Sequence, residues 1–186
     1  MYWLAEGILC IRYILFTAML LLVSFCVQAD RHAPNEYEVK AIFLLNILDF
    51  IKWPHRPLER RSDELHLCLL GGDPFGESMD VIRDHRVSDR RLMVRQINGV
   101  EQGQNCDLVF LNETLGYEVS DITSQLNRYQ AFTVGDSIGY ARQGVMLNFY
   151  LDRRNKLRFE INLKEARKAD IRISSQLLRL ARIIRD

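Results

Sequence analysis

The sequence predicts a single-domain α/β sandwich with a mixed, mostly parallel sheet, flanking helices and a C-terminal antiparallel hairpin. Two observations lead to this fold class. Short apolar runs, which are typical of strands, alternate with segments that carry helix-capping signals. Near the C-terminus, two apolar runs at 145–151 and 157–161 flank a polar turn, which is the pattern of a hairpin.

The composition suits one globular core, since 48% of the 186 residues are apolar and 26% are charged. Lys plus Arg number 25 and Asp plus Glu number 24, so the net charge is +1. This balance argues against nucleic acid as a partner bound through bulk charge, for which a high pI is typical. Three arginine pairs, at 60–61, 90–91 and 153–154, are expected to be solvated loop charges.

The first thirty residues predict an export signal rather than part of the fold. Residues 14–27 are apolar or small and carry no charge, and Arg12 precedes them. Val27-Gln28-Ala29 fits a cleavage site of the small-x-small kind, so 1–29 is predicted to be a signal peptide and 30–186 an exported domain. An uncleaved membrane anchor is the alternative, because the two kinds of segment overlap in length.

The first helix of the domain is predicted at 36–51, with Asn35 as N-cap and Pro54 and Pro57 as the stop signal. Apolar side chains lie nearly all round it, which means that every face must be covered. The covering is either the domain's own core or a partner or second copy. The candidate contact residues on this helix are Phe43, Leu44, Ile47 and Phe50.

The middle of the chain alternates between the two kinds of element. Strands are predicted at 65–70, 91–97, 106–111 and 131–134. Helices are predicted at 74–85 and 119–129, the first of them capped by Asp73 with Pro74 at its first position.

The second arm of the hairpin alternates, which predicts one buried and one solvated face. Its inward residues are Leu157, Phe159 and Ile161, and its outward ones are Arg158, Glu160 and Asn162. Two short helices follow, and the last begins after Ser174 with a stripe of Leu177, Leu180, Ala181 and Ile184. The candidate contact residues here are Leu177, Leu178 and Ile184, with core packing again the alternative.

Two cysteines remain after cleavage, Cys68 and Cys106. An exported chain meets an oxidising compartment, where such a pair usually forms a disulfide. A redox-active pair or half of a metal site is not supported, because there is no C-x-x-C and no histidine at ligand spacing. The four histidines form no metal-binding pattern either, so no metal or other cofactor is expected.

Residues Gly135 to Gly139 match the G-x-S-x-G motif of serine hydrolases, with Ser137 as nucleophile. No histidine follows His85, and the segment after Ser137 predicts a strand where the motif needs a helix. The hydrolase is therefore the weaker hypothesis, and no catalytic residue is assigned.

The glycine-rich turn that begins at Gly71 could in principle hold a phosphate at a helix N-terminus. However, Asp73 places a carboxylate where the phosphate would lie, which favours a capped turn. A periplasmic module that binds a small ligand at this turn remains an alternative.

Motifs along the whole exported region resemble those of the YfiR family and follow one another in the same order. They are Tyr37-x-Val39-Lys40-Ala41-x-Phe43, Asn46, Phe50, Trp53-Pro54, Cys68-x-x-Gly71, Asp73-Pro74-Phe75-Gly76, Cys106, Thr133-Val134-Gly135-Asp136, Arg158-Phe159-Glu160-Ile161-Asn162, Ile173-Ser174-Ser175 and Leu177-Leu178-x-Leu180-Ala181. Each motif alone is weak, and the ordered set is fairly specific.

The resemblance implies a non-catalytic periplasmic repressor with an α/β fold. Such a protein binds the periplasmic domain of an inner-membrane diguanylate cyclase, holds it inactive and so limits cyclic di-GMP and biofilm formation. Members also self-associate, which implies a homodimer. Cys68 and Cys106 match one disulfide of the family, whereas a second pair near the hairpin is absent here. Gln143 and Asp170 stand where the family usually has glycine.

Overall fold

The computed structural model describes residues 35–54 and 63–185. The predicted signal peptide, Pro57, Arg60 and Arg61 lie outside these ranges. The helices are α1 Glu36–Leu48, α2 Val119–Arg128, α3 Leu163–Lys168 and α4 Ser175–Leu180. The strands are β1 Ile51–Lys52, β2 Glu64–Leu70, β3 Arg86–Val87, β4 Arg90–Ile97, β5 Leu108–Leu111, β6 Phe132–Gly135, β7 Leu147–Leu151, β8 Leu157–Ile161, β9 Arg172–Ile173 and β10 Arg182–Ile183. Short 3-10 helices lie at Gly76–Val81, Val100–Asn105, Glu113–Glu118 and Tyr140–Gln143.

The strands form one mixed sheet of 8 strands in the order β10-β8-β7-β6-β5-β2-β4-β3. The five central strands, in the order β4-β2-β5-β6-β7, are parallel to one another. β8 is antiparallel to β7, and β3 is antiparallel to β4. A separate pair joins β1 to β9. The predicted fold class, a mostly parallel sheet with a C-terminal antiparallel hairpin, is confirmed.

The core lies on both faces of the sheet, because alternate side chains of a strand point to opposite faces. On β2, Leu67 and Leu69 belong to the cluster under α1, while Cys68 and Leu70 belong to the cluster under α2. This explains why the central strands have continuous apolar sequences rather than an alternating pattern.

α1 ends at Leu48, three residues before its predicted end. Ile51 and Lys52 instead form β1, which pairs with Ile173 and Arg172 of β9. The strand pairing competes with helix continuation in a segment where Pro54 already disfavours helix. Asn35 occupies the N-cap position, but its side chain makes no capping hydrogen bond.

The predicted helix 74–85 is wrong in extent, since only the 3-10 helix Gly76–Val81 forms there. The predicted capped turn is present, because Asp73 Oδ1 accepts from the backbone N–H groups of Phe75 at 2.8 Å and Gly76 at 3.1 Å. Gly76 has φ +52°, a left-handed conformation that prevents an α-helix from running through the turn.

The last helix begins after Ser174 as predicted, and the Ser174 hydroxyl accepts from Gln176 N at 3.2 Å. It ends at Leu180, so the predicted apolar stripe does not form, and Leu180 is 73% exposed. The chain then joins the sheet as β10, where Ile184 N donates to Ile161 O at 2.9 Å. Pairing with the free edge of β8 replaces the last helical turn.

The expected outward orientation is wrong for Glu160, on β8, and for Asn162, directly after β8. Glu160 and Asn162 are each 4% exposed. The Glu160 carboxylate accepts from Arg182 Nε at 3.0 Å, and Asn162 caps α3 by accepting from Glu165 N at 3.1 Å. Buried polar groups are tolerated when they are paired, and these are.

Arg90 is also not a solvated loop charge. Its Nη2 lies 3.1 Å from Oδ1 of Asp107, a carboxylate that is 1% exposed. It donates as well to the backbone carbonyl of Glu64. Arg153 and Arg154 are exposed in the hairpin turn, as expected.

Candidate functional site

α1 carries apolar side chains on both its faces, as its sequence predicted. Of the candidate contact residues, Leu44 and Ile47 are buried in the domain's own core. Phe43, in contrast, is 37% exposed, and Ile42, which was not among the candidates, is 42% exposed. Phe50 is partly buried at the edge of the core. We call Ile42 and Phe43, together with Phe50 two residues beyond the end of the helix, the outer face of α1.

The C-terminal candidates divide in the same way. Leu177 is buried in the core. Leu178 is partly buried against the core, and Ile184 is partly buried beyond β10. The two candidate segments are tied together, because Ser174 N, at the start of α4, donates to Phe50 O at 2.9 Å.

A groove runs between the first turn of α1 and the tip of the β7–β8 hairpin. It has a volume of about 270 Å³. Its walls are formed by Glu36, Val39, Leu151, Asn155 and Leu157. Val39 lies one helical turn before Phe43, so the groove continues the apolar surface of α1. Leu157 is predicted to point inward and is partly buried against the core, whereas Leu151 at the hairpin tip is 41% exposed.

α1 is anchored to the carboxyl end of the sheet by Lys40. Its Nζ contacts Asp136 Oδ2 at 2.8 Å, directly after β6, and Glu36 Oε1 at 2.7 Å. Burial and the charge of Asp136 raise the pKa of the neighbouring Tyr37 above its usual value. These contacts fix the orientation in which α1 presents its outer face.

The G-x-S-x-G segment does not assemble a catalytic triad from the described residues. Asp136 is committed to Lys40, and Ser137 Oγ is buried without a hydrogen-bond partner among the described residues. His66 lies near the amino end of β2 beside Glu64, whereas Ser137 follows the carboxyl end of β6. The 3-10 helix Tyr140–Gln143, rather than the predicted strand, comes next.

Cys68 and Cys106 form the disulfide that the export argument predicted, with 6.0 Å between their Cα atoms. Both are fully buried on the α2 face of the sheet. The guanidinium of Arg95 lies against it, with Nε 3.3 Å from Cys68 Sγ and Nη2 3.0 Å from Asn105 O.

The Gly71 turn offers little to an anion. The two N–H groups at the start of the 3-10 helix already donate to Asp73, and Thr114 Oγ1 donates to Gly71 O at 2.7 Å. Within the described ranges, no three His, Cys, Asp or Glu side chains are grouped so that they could hold a metal. None of the helices described is both long and apolar enough to cross a membrane.

Comparison with known proteins gives one match in sequence. A family model described as YfiR/HmsC-like matches residues 37–182. No curated protein matches the chain.

Solved structures match the fold. One is a conserved domain protein from Vibrio cholerae O1 biovar El Tor, with a TM-score of 0.52 and 13% identity over 81% of this chain and 60% of that one. Another is the ABC domain in complex with L-Trp from Streptococcus pneumoniae, with a TM-score of 0.52 and 10% identity over 75% of this chain and 59% of that one. The chain thus spans about 60% of the length of each. At such identities the likeness concerns the fold alone.

Proposed function

The chain belongs to the YfiR/HmsC-like family, and from this premise we propose that it is a non-catalytic periplasmic regulator. It binds the periplasmic domain of an inner-membrane diguanylate cyclase and inhibits it, which lowers cyclic di-GMP and biofilm formation. The single observation that carries the proposal is the family match over residues 37–182, which spans nearly the whole described domain. The disulfide is consistent with an oxidising compartment, and thus with the periplasm.

The surface that we assign to the partner is the outer face of α1, together with Leu178 and Ile184. It is apolar and partly exposed, while the opposite face of the same helix is fully packed. Aromatic side chains such as Phe43 and Phe50 can act as anchors when they are buried at the centre of an interface. The same face is proposed to mediate self-association of the free protein as a homodimer.

The test is cellular cyclic di-GMP in a deletion strain complemented with variants at matched levels in the periplasm. We expect deletion to raise cyclic di-GMP and the wild-type protein to restore it. Phe43→Asp should fail to restore it while keeping the wild-type melting curve, because Phe43 is an exposed rather than a core side chain.

The matched control is Ile138→Asp, since Ile138 is 99% exposed, follows the end of β6 and is not part of the outer face of α1. This variant should restore the low level. An unchanged cyclic di-GMP level on deletion, in both planktonic and surface-attached cultures, would count against the regulator. Full restoration by Phe43→Asp would leave the regulator standing and remove the assignment of its surface.

A further inference from the structure

The edge strand β4 is covered along only part of its length. It is 8 residues long and pairs with β2 from Arg91 to Ile97 on its inner side. On its outer side, β3 pairs only with Arg90 and Arg91. Within residues 35–54 and 63–185, no strand pairs with the outer side of β4 beyond this point. An edge of this kind is a template for an additional strand.

The hydrogen bonds at the start of β4 show which backbone groups face outward. Arg91 N donates to Asp63 O at 2.7 Å, on the β2 side, whereas Leu92 N donates to His85 O at 2.7 Å, on the β3 side. Since the two sides alternate along an extended strand, the N–H and C=O groups of Val94 and Gln96 also point outward. They offer an incoming segment two donors and two acceptors.

A hollow of about 250 Å³ adjoins the C-terminal half of this edge. It is lined by Arg95, Gln96 and Ile97 of β4 and by the neighbouring 3-10 helix Val100–Asn105. Side chains of an added strand point alternately to the two faces of the sheet, so one of them would enter the hollow. Such a combination of backbone pairing and a side-chain pocket is how strand addition achieves selectivity.

The charge of this edge indicates what kind of segment fits. β3 and β4 carry Arg86, Arg90, Arg91 and Arg95. Arg90 and Arg91 are paired with Asp107 and Asp84. Arg86 and Arg95 donate to the backbone carbonyls of Asp89 and Asn105. Neither forms an ion pair with a carboxylate of the described residues, although Glu101 lines the same hollow as Arg95.

A second copy of this chain is a poor occupant. Antiparallel pairing of the uncovered parts of two β4 strands would bring Arg95 of each copy to the same seam, and like charges on adjacent strands are destabilising. An acidic segment, in contrast, would find the guanidinium groups of Arg86 and Arg95, which form no ion pair within the described residues, close to the outward backbone donors. Charge-assisted hydrogen bonds to a carboxylate are stronger than neutral ones.

We propose that the outer edge of β4 is a second protein-binding surface, which takes an extended acidic segment of a partner as an additional strand. The backbone of Val94 and Gln96 pairs with the segment, and an acidic side chain enters the hollow beside Arg95. This surface is separate from the outer face of α1, and it does not depend on the regulator proposal.

The test is selection of random peptides, about seven residues long like a typical strand, on the exported protein. We expect enriched peptides that are rich in Asp and Glu and alternate with β-branched residues. Binding of a fluorescent copy is then measured by anisotropy. Backbone amide exchange at Val94 and Gln96 should slow when the peptide is added.

Gln96→Pro is the decisive variant, because it deletes an outward N–H and leaves the β2–β4 pairing intact. We expect it to weaken peptide binding at least about tenfold, whereas the matched control Gln96→Ala, which keeps the N–H, changes binding less than about twofold. Arg95→Gln should cost about three- to tenfold. Melting curves check that each variant is folded.

Equal binding of the peptide to Gln96→Pro and to Gln96→Ala would overturn the proposal. It would also be overturned if selection yields no peptide or only basic ones, or if the amides of Val94 and Gln96 are not protected in the complex. Sedimentation that shows a dimer abolished by Gln96→Pro would assign the edge to a second copy instead, and the acidic partner would be wrong.

Discussion

Lys40 and Asp136 form a buried ion pair that joins α1 to the carboxyl end of β6. Lys40 Nζ lies 2.8 Å from Asp136 Oδ2, and the two side chains are 5% and 4% exposed. The ammonium group also lies 4.2 Å from the centroid of the Tyr37 ring. Charges so far from water are stable only when they are paired, so this contact holds α1 against the carboxyl end of β6.

Lys40→Met should therefore destabilise the domain strongly, because it leaves the Asp136 carboxylate buried without its partner. We expect a loss of about 3–5 kcal/mol in the free energy of unfolding, measured by urea denaturation. Lys52→Met is the control, since Lys52 is exposed on β1, and it should change stability by less than about 0.5 kcal/mol. If the double variant Lys40→Met/Asp136→Asn is more stable than Lys40→Met, the loss of stability in Lys40→Met is due to the unpaired carboxylate of Asp136. Equal effects of the two single variants would contradict this account.

The disulfide should contribute substantially to stability, because it closes a loop across β2, β4 and the 3-10 helix before β5. For the sequence separation of 38 residues, the chain-entropy estimate is about 4 kcal/mol, as an upper value. Cys68→Ala/Cys106→Ala should lose up to this amount in urea denaturation. Thiol titration of the unfolded, unreduced domain should find neither cysteine free. Two titratable thiols in the exported protein would refute the pairing in the cell.

The fold class could be predicted from the sequence because the apolar runs of β2, β5 and β6 are local signals. Each is short, continuous and bounded by polar or glycine-rich segments, as strands buried on both faces require. The end of the chain could not be predicted in the same way. β10 exists only because the edge of β8 is available to it, and this is a contact between distant residues.

The candidate site was predicted only in part, for a related reason. A helix that is apolar all round must be covered on all sides, but the pattern does not tell which side faces the core. Leu44 and Phe43 are adjacent in sequence and equally apolar, yet only Leu44 is buried. Glu160 shows the reverse case. The alternating pattern of β8 predicted that its side chain is exposed, but Arg182 of β10 contacts its carboxylate and buries it. Both outcomes depend on packing between distant segments.

Gly71 is required by the close approach of the turn after β2 to the loop after β5. It has φ +89°, and a Cβ there would lie 3.0 Å from both Leu115 Cγ and Thr114 Oγ1. Gly71→Ala should cost about 1–3 kcal/mol, from backbone strain and the contact together. Gly139→Ala is the matched control, with φ +87° and only Gln143 Nε2 near the Cβ, at 3.9 Å. If urea denaturation shows a larger loss of unfolding free energy for Gly71→Ala than for Gly139→Ala, the difference is due to the contact with Leu115 and Thr114. Equal losses would show that backbone strain alone accounts for the effect.

Tyr37 should make the domain sensitive to alkaline pH. Burial, followed by the charge of Asp136, raises the pKa of Tyr37 above the ordinary value of 10.0. Above pH 10 the unfolded chain therefore releases a proton that the native state retains, and stability falls as pH rises. The contribution of the protonated Tyr37 phenol to stability is fully present below this pH. Burial also raises the pKa of Tyr140, so it adds to the same trend.

Urea denaturation of the wild type and of Tyr37→Phe should separate this effect from the general titration of lysines. The difference in unfolding free energy between the two proteins should be constant from about pH 7 to 9 and should shift in favour of Tyr37→Phe above about pH 10. Tyr37→Phe/Tyr140→Phe should flatten the profile further, because it removes both phenols whose pKa is raised. Stability curves that stay parallel from about pH 7 to 12 would show that Tyr37 titrates alike in the folded and unfolded chains.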